Sequence, residues 1–177
     1  MSTFKKIFVC VLCIGACYLL PMLLHPMDLG RLLSPIYVPV IICALACGPG
    51  YGIVCAVLGP VICSALTGLP ETNVFPTMLP ELVVYALLAG VIMRKIHIGS
   101  LYLNILLTLV PTILFGRVTA MFATGIYYAL GIFGVESFSL GEAFAVYFTD
   151  ATTTIAIHLI FIPLLAVTMK EEKLLKF

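Results

Sequence analysis

The chain has 177 residues, of which 63% are hydrophobic and 10% are charged, and its formal net charge is +1. A soluble globular domain is about half apolar and about a quarter charged, so this composition indicates an integral membrane protein. Six helical spans of about 20 residues each would use most of the chain and leave only short loops. This arrangement excludes an added soluble catalytic or nucleotide-binding domain, and the small net charge gives no indication of a nucleic-acid partner.

Hydrophobic runs separated by proline, glycine or charged residues predict a single all-α domain of six transmembrane helices. The approximate spans are 7–24, 35–48, 51–68, 77–95, 100–131 and 142–169. The second run is short because prolines and a Gly-Pro-Gly turn confine it, so we expect it to be tilted, broken or partly embedded. The fifth run is long for one span, so we expect this helix to tilt or to project beyond the bilayer.

Basic residues flank the predicted spans unequally. Arg31 flanks them on one side, and seven basic residues lie on the other: Lys5, Lys6, Arg94, Lys95, Lys170, Lys173 and Lys176. The positive-inside rule then predicts that both termini are cytoplasmic, which places the loops 25–34, 69–76 and 132–141 outside.

Seven cysteines lie inside apolar segments of the first 63 residues, with no histidine beside them. We therefore interpret them as small packing residues, and we predict neither disulfides, nor a metal site, nor a cofactor. Small residues also recur at helical spacing, at Cys13 and Cys17 in the first span and at Gly52 and Ala56 in the third. Such stripes let helices approach closely, either within the chain or against another membrane subunit.

Three ionisable residues lie inside the predicted spans, namely Glu81, Arg117 and Asp150. An ionisable side chain in hydrocarbon costs a few kcal/mol, so it is usually retained for a partner or a ligand. The three come from different helices at overlapping depths, and the helical period places further hydrogen-bonding groups on the same faces. The predicted substrate-binding residues are Glu81, Tyr85, Arg117, Thr124, Tyr128, Asp150 and Thr154.

A purely structural interpretation of these charges is that Arg117 neutralises Glu81 or Asp150 and holds the helices together. One arginine cannot balance two ionised carboxylates, so this interpretation leaves a charge that must be protonated, hydrated or met by a ligand. A polar cavity that opens outward accounts better for the set. A second alternative is a scaffold protein that binds no small molecule. An intramembrane enzyme is disfavoured because no Ser-His dyad, paired aspartate motif or HExxH sequence is visible.

A series of local motifs runs along the chain in a particular order. They are Tyr37-Val38-Pro39-Val40, Cys47-Gly48-Pro49-Gly50-Tyr51-Gly52, Leu58-Gly59-Pro60, Leu66-Thr67-Gly68, Glu81-Leu82-Val83-Val84-Tyr85, Gly116-Arg117-Val118 and Leu159-Ile160-Phe161-Ile162-Pro163. With the chain length and the six predicted spans, these motifs resemble the substrate-binding S components of energy-coupling factor (ECF) transporters. That family imports vitamins and related micronutrients into prokaryotes.

The resemblance implies a non-enzymatic subunit of the prokaryotic plasma membrane that binds its substrate from outside. It also implies three protein partners, a transmembrane coupling subunit and two cytoplasmic ATPase subunits, and a toppling movement in the bilayer that releases the substrate inside. The docking motif of the family is a pair of alanines four apart on the first helix, and this chain departs from it. The nearest equivalents here are Cys13 and Cys17, or Leu12 and Ala16, and we expect Gly52 and Ala56 to assist in this docking.

The first outer loop carries Asp28 and Arg31 between the first span and the short second one, and we expect it to close over the substrate. Two acids, one arginine, tyrosines and threonines suit a nitrogen heterocycle that resembles pyridoxine, a deazapurine or a pyrimidine. A carboxylate vitamin such as pantothenate or niacin would instead be anchored by Arg117. The sequence leaves both substrate classes open.

Overall fold

The computed structural model describes residues 2–24, 34–70, 74–96, 98–135 and 137–171. Within these ranges the chain forms seven α-helices and one π-helical segment, and no strand. They are α1 (Thr3–Leu24), α2 (Tyr37–Cys47), α3 (Pro49–Thr67), α4 (Phe75–Ile92), α5 (Leu101–Leu130), α6 (Leu140–Phe144), the π-helical segment (Ala145–Thr149) and α7 (Thr152–Glu171). The prediction of an all-helical protein is confirmed for the described residues, and the helix ends lie within about one turn of the predicted span ends.

In the described part of the chain, five helices are long and apolar enough to cross a membrane. They are α1, α3, α4, α5 and the continuous segment Leu140–Lys170, which joins α6, the π-helical segment and α7. The second predicted span is a shorter apolar helix, α2, of 11 residues. These helices give the protein the character of a multi-pass helical membrane protein.

Helix α2 lies at the centre of the bundle. It packs against α1, α3, α4 and α7, and all its residues except Ala46 are buried. A helix that is apolar on every side is typical of a protein interior. At about 1.5 Å per residue it is only about 16 Å long. The helix is unbroken, and its short length is accommodated because protein surrounds it.

Small residues bring α2, α3 and α4 together near the turn that joins α2 to α3. Gly48 has a φ of +97°, which favours glycine, and Arg94 donates a hydrogen bond from Nη2 to the Cys47 carbonyl at 3.3 Å. A Cβ on Gly52 would lie 2.6 Å from the Ala44 Cβ. The same added Cβ would lie 3.2 Å from the Ala86 Cβ of α4, so the three helices, including the one that carries Glu81, pack closely at this glycine.

The last membrane-length segment changes its helical winding partway along. The Asp150 backbone N–H donates to the Ala145 carbonyl at 2.9 Å, five residues earlier, which is the hydrogen bond of a π-helical turn. Such a turn holds more residues than an α-helical turn, so it shifts the faces of the residues that follow. The side chains of α7 therefore cannot be placed by extending the helical period of α6.

Candidate functional site

A buried ion pair joins α4 to α5. Arg117 Nη1 lies 3.3 Å from Glu81 Oε1, and the two side chains are only 8% and 2% exposed. Two hydroxyls also bind the carboxylate: Tyr37 donates to Oε2 at 2.7 Å and Tyr85 donates to Oε1 at 2.8 Å. The Glu81 carboxylate is thus held by groups from α2, α4 and α5. We call Tyr37, Glu81, Tyr85 and Arg117 the carboxylate cluster.

Local sequence features make room for this cluster. Tyr85 follows Glu81 by one helical turn, so both side chains leave α4 on the same face. The Tyr85 ring lies against Gly116 of α5, where a Cβ would overlap the ring atoms Cε1 and Cδ1. Glycine before Arg117 therefore lets the Tyr85 ring lie against the α5 backbone while the next side chain reaches Glu81.

A proline explains a further link between α4 and α5. Pro80 has no backbone N–H, so it cannot donate to the carbonyl of Pro76 one turn earlier. The Tyr127 hydroxyl of α5 donates to that carbonyl instead, at 3.2 Å. An unpaired carbonyl is unfavourable in an apolar environment. The hydrogen bond from Tyr127 therefore stabilises the first turn of α4, which precedes Glu81.

The Arg117 guanidinium has a second contact and an unused donor. Its Cζ lies 5.7 Å from the centre of the Tyr37 ring, a distance at which a cation and an aromatic face attract each other. Its Nε is buried and has no hydrogen-bond partner among the residues that the structure describes. A buried donor of a charged group without a partner costs stability, so this N–H marks a place where an acceptor would be favourable.

The final helical segment brings polar side chains to the same region. The hydroxyls of Thr124 on α5 and Tyr147 in the π-helical segment lie 2.8 Å apart and share a hydrogen bond. Arg117 lies seven residues before Thr124, and Thr154 lies seven residues after Tyr147. Because the two helices run in opposite directions, both residues lie at a similar depth along the bundle. Thr154 is buried at 7% exposure.

One helical turn after Thr154, His158 of α7 is also buried. Its ring centre lies 5.8 Å from that of Tyr37, and the Tyr37 and Tyr85 ring centres are 5.4 Å apart. The aromatic side of the cluster is thus formed by three rings from α2, α4 and α7.

Two predicted site residues lie away from this cluster. Asp150 is exposed and forms no ion pair with Arg117, so the structure selects Glu81 as the partner of the arginine. Tyr128 is 45% exposed, and its ring lies 6.3 Å from that of Phe138. Neither side chain, although predicted to share a site with Arg117, belongs to the carboxylate cluster. The predicted lid residues Asp28 and Arg31 lie outside the described residues.

Two residues of the region, Tyr37 and Tyr147, were missed by the sequence argument, whereas His158 shares the helical face of Asp150 and is interpreted from the sequence as a packing residue. All three form bonds or ring contacts between distant parts of the chain. Tyr37 was visible as the first residue of a quoted motif, but nothing in its spacing assigned it to Glu81. A buried tyrosine needs a partner for its hydroxyl, and this requirement was the available signal.

The proposed docking residues pack inside the chain. Cys13, Cys17, Gly52 and Ala56 are all buried, and a Cβ on Gly59 would lie 2.8 Å from the Cys17 sulfur. These small residues let α1, α2 and α3 pack closely, so their side chains do not form an outer surface. The four residues predicted to dock on a coupling subunit are thus in the interior of the bundle.

The other pair considered for docking lies outward on α1. Leu12 is 57% exposed, and Ala16 is half-buried. Of the two pairs, Leu12 and Ala16 are therefore the ones on the accessible side of α1.

The chain matches no protein-family model, no curated protein and no solved structure.

Proposed function

We propose that this protein is a substrate-binding membrane subunit similar to the S components of ECF transporters, and that it captures a small vitamin-like molecule at the carboxylate cluster. The observation that carries this proposal is the buried Arg117 Nε, a donor without a described partner inside the helical bundle. Binding an acceptor there would complete the hydrogen bonding of the arginine.

A scaffold without a ligand accounts for less of this arrangement. A structural ion pair between α4 and α5 needs only the contact between Glu81 and Arg117. Two tyrosines also hold the carboxylate, and further hydroxyls at Thr124 and Tyr147 lie along the same pair of helices. Polar groups inside a membrane protein typically mark a ligand or ion pathway, because each of them is unfavourable in hydrocarbon.

The depth of the cluster supports access from one side of the membrane. Glu81 lies six residues after Phe75, the first residue of α4, or about 9 Å along the helix. Arg94 and Lys95 follow the opposite end of the same helix. With basic residues on the cytoplasmic side, we place the cluster nearer the outer face of a prokaryotic plasma membrane, with both termini inside and α2 as a sixth, buried segment.

In this proposal the protein performs no chemistry itself. A transmembrane coupling subunit binds the exposed face of α1 that carries Leu12 and Ala16, and two cytoplasmic ATPase subunits hydrolyse ATP. The exposed face is apolar, as a surface in contact with lipid or with another membrane helix must be.

Native mass spectrometry of the detergent-purified protein tests small-molecule binding. We expect a retained molecule in the natural protein and its loss in Arg117→Ala. Lys95→Ala is the matched control, because it removes an exposed cation at the other end of α4. A folded protein that retains no molecule and is not stabilised by any member of a vitamin panel would favour the scaffold.

A further inference from the structure

The charge balance of the carboxylate cluster bears on the class of substrate. Glu81 and Arg117 are the two ionic side chains that are buried in the described part of the chain, and they neutralise each other. The exposed Asp150 is not part of this pair. A third charge placed beside the pair would be balanced by neither of its members, and an uncompensated charge in a low-dielectric interior is strongly unfavourable. His158 is the other buried basic side chain described beside the cluster, at 5.8 Å between its ring centre and that of Tyr37.

The hydrogen bonds of the cluster limit the substrate further. Both oxygens of Glu81 already accept hydrogen bonds, from Tyr37, Tyr85 and Arg117. These three donors occupy most of the roughly four acceptor positions that a carboxylate has. Arg117 Nε, by contrast, is a donor without a described partner. The free capacity of the cluster is thus for an acceptor.

From these two observations we infer that the substrate is an uncharged molecule that presents a carbonyl oxygen or a ring nitrogen to Arg117 Nε. This inference rests on the proposed function. It differs from both substrate classes that the sequence left open. The first was a heterocycle whose N–H groups bind the acidic side chains, and the second was a carboxylate vitamin anchored by Arg117. A carboxylate would add a negative charge to a pair that is already neutral, whereas a carbonyl or ring nitrogen supplies the acceptor without the charge.

Matched pairs of probes test the inference. Each pair contains an uncharged molecule and its carboxylate counterpart: nicotinamide with nicotinate, uracil with orotate, and pantothenol with pantothenate. Binding is measured as a shift in thermal unfolding, because a ligand that binds only the folded state stabilises it. The buried free thiols suit a maleimide dye that reacts as the bundle opens.

Arg117→Lys is the informative variant, because it keeps a positive charge opposite Glu81 but has no Nε donor. Loss of a hydrogen bond to a charged donor should weaken binding by about 10- to 100-fold. Thr119→Val is the control, since Thr119 lies on α5, is not buried, and its hydroxyl donates to its own helix at Phe115.

We expect the uncharged member of at least one pair to stabilise the protein more than its carboxylate, and we expect Arg117→Lys to abolish most of that difference. Preferential stabilisation by a carboxylate, or an unchanged affinity in Arg117→Lys, would overturn the inference and leave small-molecule binding intact. If no probe stabilises the protein and native mass spectrometry finds no retained molecule, the proposed function itself fails.

Discussion

Replacing Glu81 by glutamine separates the charge of the carboxylate cluster from its hydrogen bonds. The amide has the shape of the carboxylate, and it can still bond the hydroxyls of Tyr37 and Tyr85. Arg117, however, would then lie buried without a counter-ion. Breaking a buried ion pair in this way typically costs about 3 to 5 kcal/mol, which for a chain of this size lowers the unfolding temperature by on the order of 10 °C.

The double variant Glu81→Gln with Arg117→Gln provides the critical comparison. It leaves a neutral cluster, and replacing both ions of a buried pair is often nearly neutral for stability. We therefore expect the double variant to unfold at a higher temperature than Glu81→Gln alone. The same thermal assay in detergent measures both. Costs that simply add, or a single variant within about 0.5 kcal/mol of the natural protein, would show that the two charges do not interact as the structure indicates.

Three further predictions follow from the packing of the helices. Gly116→Ala should displace the Tyr85 ring and weaken substrate binding by at least about 10-fold, as measured by retention in native mass spectrometry; unchanged retention would show that the ring position is irrelevant. Gly59→Val should crowd Cys17 and lower the free energy of unfolding by about 1 to 3 kcal/mol, whereas equal stability would mean that α1 and α3 can separate freely. Leu12→Arg should leave binding by the isolated protein intact but abolish uptake in cells that contain the coupling subunits; normal uptake would place the docking face elsewhere.

The helical membrane architecture could be predicted because hydrophobic runs of span length have few other interpretations. The buried pair was also within reach of the sequence, since Glu81 and Arg117 are ionisable residues in apolar runs and each must find a partner. What the sequence left open was the choice between Glu81 and Asp150. That choice depends on how the last segment faces α5, and no pattern within one helix determines it.

Two features explain why Asp150 and the small residues of α1 lie in other surroundings than those expected from the sequence. The α-helical period groups Asp150 with Thr154, but the π-helical turn ends at Asp150, where the regular period is interrupted. As a result Thr154 is buried and Asp150 is exposed. The small residues of α1 fail for a different reason. A stripe such as Cys13 and Cys17 indicates close packing, but it does not say whether the neighbouring helix belongs to the same chain.

Tyr37 shows what a sequence cannot supply without a tertiary arrangement. It lies 44 residues before Glu81, and its hydroxyl reaches the carboxylate because α2 is enclosed by four other helices. The short second run was visible in the sequence, but its central position was not. Tyr37, whose ring contacts the Arg117 guanidinium, was therefore not among the predicted site residues.

An experimental structure of the protein purified with its retained molecule tests the central claim most directly. We predict density for a small uncharged molecule with an acceptor atom about 2.7 to 3.2 Å from Arg117 Nε, while the contacts of Glu81 with Tyr37, Tyr85 and Arg117 persist. Density for a bound molecule elsewhere in the bundle, with Arg117 Nε bonded to a protein group, would contradict the assignment of the site to this cluster.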